Sequence, residues 1–140
     1  MTIQFQREGL TPAEQSVVSD GFESHSADQG APAYQKTRIK WVSRDEQGRI
    51  QAVLAADNLW DWIYIDELWV SLQVRGQGLG RALMVLAEDY AAAEGLQGLW
   101  LWTQSWQAEG FYTRLGYEEF TRFDNFPAGH SRIGFRKTLT

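Results

Sequence analysis

Apolar and polar residues alternate from Thr2 to Arg7, with Ile3 and Phe5 on one side, which predicts a short first strand. Thr11-Pro12-Ala13-Glu14 predicts a helix start. Thr11 can cap, Pro12 fits the first helical turn, and Glu14 can complete a capping box. Val17, Val18 and Phe22 supply an apolar stripe for that helix, and the polar stretch 23–33 reads as a loop with room for a short second helix. Two strands are predicted over 37–44 and 49–56, joined at Asp45-Glu46-Gln47-Gly48. A turn at 57–61 leads to a third strand of this meander over 62–70. That strand is almost continuously apolar and so is expected to be central, with Asp66 and Glu67 as its exceptions. Apolar residues at helical spacing predict a helix over 79–93. A strand over 98–103, a short helix over 107–115 and two strands over 117–123 and 131–139 complete the pattern. The predicted order is β-α-β-β-β-α-β-α-β-β, an α/β chain without repeats or linkers.

The 140 residues suit one domain, 1–140. There is no Cys, which excludes disulfides, thiolate catalysis and Cys-held metal. No metal site is expected. Thirteen Lys and Arg against eighteen Asp and Glu give a net charge of -5, which argues against nucleic acid as a partner. No apolar run reaches the ~20 residues that span a bilayer, and no signal peptide is visible at the start. The expectation is a cytoplasmic protein with no membrane partner. Seven Trp are many for this length.

The sharpest local signal is Gln73-Val74-Arg75-Gly76-Gln77-Gly78-Leu79-Gly80-Arg81, between the central strand and the helix over 79–93. Glycines let backbone amides approach a ligand, and a helix start favours an anion, above all phosphate. A Walker A loop would need Lys-Ser or Lys-Thr where Arg81-Ala82 stands, and the dinucleotide fingerprint would need Gly at position 81. From the residues alone, this is a phosphate-binding α/β domain.

Residues 73–78 resemble the coenzyme A pyrophosphate loop of the GCN5-related N-acetyltransferases, whose pattern is Gln/Arg-x-x-Gly-x-Gly/Ala. Ile65-Asp66-Glu67-Leu68-Trp69-Val70 resembles the end of that family's fourth strand. The segment from Gln107 to Tyr117 resembles its Ala-x-x-x-Tyr-x-x-x-Gly-Phe/Tyr helix. The match runs from about Tyr64 to Tyr117. It implies a mostly antiparallel mixed sheet, splayed between the fourth and fifth strands and flanked by helices. It also implies acetyl-CoA as co-substrate, a primary amine as acceptor, and direct attack of the amine on the thioester. Dimers are common in folds of this resemblance.

The resemblance implies that amides from Arg75 to Arg81 hold the phosphates, with Gly76, Gln77, Gly78, Leu79 and Gly80 between them. Main-chain groups of Leu68, Trp69 and Val70 would align the pantetheine arm. Tyr112 would protonate the leaving thiolate, and Ser105 stands where the family often has Asn beside that arm. Asp66 and Glu67 are the candidate bases. Adjacent strand residues point to opposite faces, so one is expected to face the amine and the other to face away. The family match is closest at Asp66, with Glu67 able to bind a cationic substrate. Pairing of one of them with an Arg is the plainer alternative. Core packing is the plainer reading for most tryptophans, but Trp60 and Trp106, nearer loop positions, could line an acceptor pocket, and an aromatic wall beside Asp66 or Glu67 would suit a cationic amine. His130 could reach the acceptor site, although a lone His in a hairpin is more often structural. Three other readings stay open: a non-catalytic acyl-CoA sensor, a different acyl donor, and a hydroxyl or protein amine as acceptor.

Overall fold

The computed structural model describes residues 1–139. The chain divides into two compact units, 1–35 and 36–140. The first holds one helix, α1 (Pro12–Asp28). Its start is the expected capping box: the Thr11 hydroxyl accepts from the Glu14 amide at 3.2 Å, and the Thr11 amide donates to the Glu14 carboxylate at 2.8 Å. The helix continues through residues 23–28, where polar composition predicts a loop. No Pro or second Gly interrupts it until Gly30, which takes φ 72° just beyond its end. The predicted first strand over 2–7 does not form. A strand is stabilised by pairing, and among the described residues Ile3 and Phe5 join no ladder.

The second unit is a six-stranded sheet in the order β1-β2-β3-β4-β6-β5. The strands are β1 (Thr37–Arg44), β2 (Ile50–Leu59), β3 (Trp62–Val70), β4 (Gly98–Gln104), β5 (Glu118–Asp124) and β6 (Ser131–Thr138). The helices of this unit are α2 (Leu79–Ala93) and α3 (Glu109–Arg114). β2 and β3 meet in a two-residue turn in which Trp60 and Asp61 both take positive φ, at 50° and 67°. All pairs are antiparallel except β3 with β4, whose crossover runs through α2. Leu54, Ile63, Leu99, Leu101 and Ile133 alternate onto one face and bury there with Met84 and Ala87 of α2. Tyr64, Trp100 and Trp102 sit at intervening positions, on the other face. Among the described residues no helix is long and apolar enough to cross a membrane.

The ladder between β3 and β4 has only four rungs and ends at Ile65 opposite Leu101. Beyond it β3 stays paired to β2 through Val70, while β4 stays paired to β6 through Gln104. The two central strands therefore diverge. This is the expected splay, now between β3 and β4 because the first predicted strand is absent.

Candidate active site

The splay opens into a cavity of about 860 Å³ lined by the end of β3, the glycine loop, the start of α2, the end of β4 and α3. On the β4 side of β3, residues 66–70 have lost their ladder, so an edge of backbone donors and acceptors faces the gap. The glycine loop closes one end. Gly76 and Gly78 take φ 80° and 82°, a conformation that a Cβ would strain. Gly78 caps α2, and the first helical bond runs from the Ala82 amide to the Gly78 carbonyl at 2.9 Å. The amides of residues 79–81 therefore have no carbonyl within the helix and favour an anion. Arg75 Nε donates to the Val70 carbonyl at 2.9 Å, which ties the loop to the strand end. Gly80 serves packing instead. A Cβ there would touch the Phe111 ring at 3.5 Å, so α2 lies close against α3.

Tyr112 reaches the same cavity from α3. Its ring lies among those of Phe111, Tyr117 and Phe135, with centroids 5.1, 6.1 and 5.9 Å away. Burial pushes its hydroxyl up to about 12. Such a phenol keeps its proton through neutral and mildly alkaline pH.

The acidic pair lies on the cavity wall at the end of the β3–β4 ladder. Ala55 pairs with Glu67 and Ala56 with Ile65, so Asp66 is an extra residue at a bulge. The bulge overturns the expectation that the two carboxylates face opposite ways. Both reach one guanidinium, that of Arg38 on β1: Asp66 at 2.9 Å and Glu67 at 3.4 Å. Arg38 also holds Asp57 at 3.2 Å. Further along the same face, Tyr64 and Trp100 lie 4.5 Å apart, and the Arg132 guanidinium sits 4.7 Å from the Trp102 ring. Burial raises the Tyr64 hydroxyl, with Asp66 adding to the effect.

The family model described as "Acetyltransferase (GNAT) family" matches residues 8–117. The chain belongs to that family. A blasticidin-S acetyltransferase of Streptomyces morookaense is 38% identical over 85 residues, 60% of this chain and 62% of the relative. The chain thus spans less than two thirds of that relative's length. An acetyltransferase structure from Bacillus cereus superposes with TM-score 0.81 at 26% identity, covering 96% of this chain and 98% of the other. A Bacillus anthracis protein described as a streptothricin acetyltransferase was solved in complex with acetyl coenzyme A. It superposes with TM-score 0.65 at 19% identity over 74% of this chain and 63% of its own, a likeness of fold.

Within this GNAT cavity stand all the residues expected to act in catalysis or to hold the coenzyme, except Gln77 and Ser105. Ser105 is used elsewhere: its hydroxyl accepts from the Ser131 amide at 3.0 Å, and its own amide donates to the Ser131 carbonyl at 2.8 Å. Trp69 and Trp102 line the cavity, whereas Trp60 and Trp106 do not. Trp106 stacks edge-on against His130 at 4.9 Å, which gives that histidine a packing role. Sequence reasoning missed Thr103 and Gln107, which share a 3.3 Å hydrogen bond on the far wall, and it missed Arg38. Arg38 stands opposite Asp57 only because the β1–β2 ladder shifts by one residue between Ser43 and Arg44, so the Asp45–Gly48 hairpin gave no signal of it.

Proposed function

We propose that this chain is an acetyl-CoA-dependent N-acetyltransferase acting on a small cationic primary amine. The observation that carries the reading is the meeting, in one cavity, of an anion-binding loop, a free strand edge, a protonated tyrosine and a carboxylate pair. The residues present fit the coenzyme. Positive-φ glycines open the loop, the start of α2 supplies amides for phosphates, and the edge of β3 suits the amides of an extended arm. When bound, acetyl-CoA supplies an activated acyl group as a thioester.

The chain's own residues then divide the work. Amides of residues 79–81 hold negative charge at one end. Backbone groups of Leu68, Trp69 and Val70 orient the arm and polarise the acyl carbonyl. Asp66 or Glu67 draws the ammonium form of the acceptor into the site and takes its proton, directly or through water. Asp66 remains our preferred base, with Glu67 binding the substrate charge. The Tyr112 hydroxyl gives its proton to the sulfur as the carbon–sulfur bond breaks. The relative named a blasticidin-S acetyltransferase supports an acceptor of that kind. A family match that spans both units supports reading 1–140 as one acyltransferase domain.

The test is a panel of primary amines offered with acetyl-CoA, with thiol release and product mass recorded. Amine-dependent thiol release with an acetylated product is the expected result. Tight binding of acetyl-CoA without turnover of any amine would point instead to a binding module.

A further inference from the structure

Arg38 does not line the cavity, yet it contacts the two carboxylates on which the acceptor reading rests. Its position is set by strand register. Arg38 pairs across β1 and β2 with Asp57, and Asp57 pairs across β2 and β3 with Tyr64, so the three share one face. Asp66 lies two residues beyond Tyr64, and the bulge turns Glu67 towards the same guanidinium. One cation thus meets three carboxylates from two neighbouring strands.

A single exposed ion pair contributes little, because solvent screens it and ordering two long side chains costs entropy. Here the Arg38 side chain keeps 46% of its exposure, and no one contact would define a role. The number of partners does. Without the guanidinium, Asp66 and Glu67 on the cavity wall and Asp57 behind them would stand as three like charges with no cation among them. With it, the planar fork holds their oxygens at 2.9 to 3.4 Å and offsets one of the three negative charges. The acidic excess left over favours a cationic acceptor.

We propose that Arg38 is a positioning and specificity-determining residue of the acceptor site. It fixes the Asp66–Glu67 pair in place and, as a built-in counter-cation, limits how much positive charge the acceptor carries. Resting on the cationic-amine reading above, this predicts which acceptors are preferred as well as how fast they react.

The experiment compares the parent with Arg38→Gln, Arg38→Lys and Asp57→Asn. Probes are n-butylamine, putrescine and spermidine, which carry one, two and three charges, each offered with saturating acetyl-CoA. Arg38→Gln should raise the ratio of kcat/KM for putrescine over n-butylamine by at least about fivefold, through a lower KM, and raise it further for spermidine. Arg38→Lys should keep the parent ratio, because the charge stays. Asp57→Asn, which removes a negative charge behind the site, should move the ratio the other way. A purely structural Arg38 would lower turnover of all three amines in proportion. Unchanged ratios in Arg38→Gln and Asp57→Asn, with an active parent, overturn the role of Arg38 and leave the acceptor reading intact. A parent that acetylates none of the probes overturns the cationic-amine reading, and the role of Arg38 falls with it.

Discussion

Tyr112 has its proton held by its surroundings. The rings of Phe111, Tyr117 and Phe135 around it remove water without supplying a charge, and the hydroxyl is pushed up to about 12. Removing only that hydroxyl in Tyr112→Phe should keep the ring packing and the coenzyme affinity. If protonation of the thiolate limits the rate, kcat should fall by about 10²–10⁴-fold. Single-turnover thiol release is the measurement, and an unchanged chemical step would remove Tyr112 from the mechanism. The glycines of the loop divide in a similar way. Gly78 has φ 82°, and a Cβ added there would have no described atom within 4 Å. Gly78→Ala therefore costs about 1 kcal/mol of backbone strain and makes no clash with the protein. What that methyl would meet is the ligand, so calorimetry should show weakened acetyl-CoA binding well beyond the loss seen in a thermal melt. Gly80 lies inside α2, where a Cβ would make ordinary contacts with Phe111 and Val70 at 3.5 and 3.8 Å. Gly80→Ala should therefore be neutral, or stabilising by up to about 1 kcal/mol. Coenzyme binding unchanged in a folded Gly78→Ala variant would show that the loop is not the phosphate site.

The short helix α3 is positioned by β6. Lys137 Nζ donates to the carbonyl of Leu115, the residue that ends α3, at 2.9 Å and pairs with Glu88 of α2 at 2.6 Å. The Tyr117 hydroxyl adds a 3.4 Å bond to the same Glu88. Lys137→Met strips the cation from a largely buried carboxylate and leaves the helix end without its donor. The expected cost is about 2–3 kcal/mol, reduced from the fully buried case because the Lys137 side chain keeps 29% of its exposure. Urea unfolding measures it, and a loss no larger than that of an ordinary surface substitution would refute the role. The elements that the sequence made legible are those whose own residues decide them. The apolar periodicity of 79–93 and the near-continuous apolar run of 62–70 fall on α2 and β3. The features it concealed are decided by partners. Residues 2–7 alternate like a strand but find no ladder, and the polar residues 23–28 continue a helix for want of a breaker. The bulge at Asp66 reverses a rule of alternation that holds only in a regular ladder. The candidate site was legible where one loop carries it, from 75 to 81. It was not legible at Arg38, which reaches the site from two strands away.

Alkaline pH tests the packing of the whole second unit, because two of its tyrosines are shifted in the same direction. Burial raises both Tyr112 and Tyr117, and Glu88 beside Tyr117 adds to the shift by opposing a phenolate. An unfolded chain releases these protons near pH 10, whereas folded Tyr112 holds its proton to about 12. Between those values the folded state binds more protons than the unfolded one, so stability falls as pH rises. The contribution is fully present below pH about 10 and is lost by way of phenol ionisation through pH about 12. For Tyr112 the loss is about 2–3 kcal/mol, and Tyr117 adds to it in the same direction. The expected outcome is a urea midpoint that stays level from pH about 8 to 9.5 and then declines steeply. Tryptophan fluorescence suits the measurement, since Trp41, Trp100 and Trp102 pack against the folded sheet or its neighbours. Tyr112→Phe removes one of the two titrating groups and should make the decline shallower without raising the midpoint at neutral pH. A decline equally steep in that variant would mean that the Tyr112 hydroxyl is far more hydrated than its ring contacts imply.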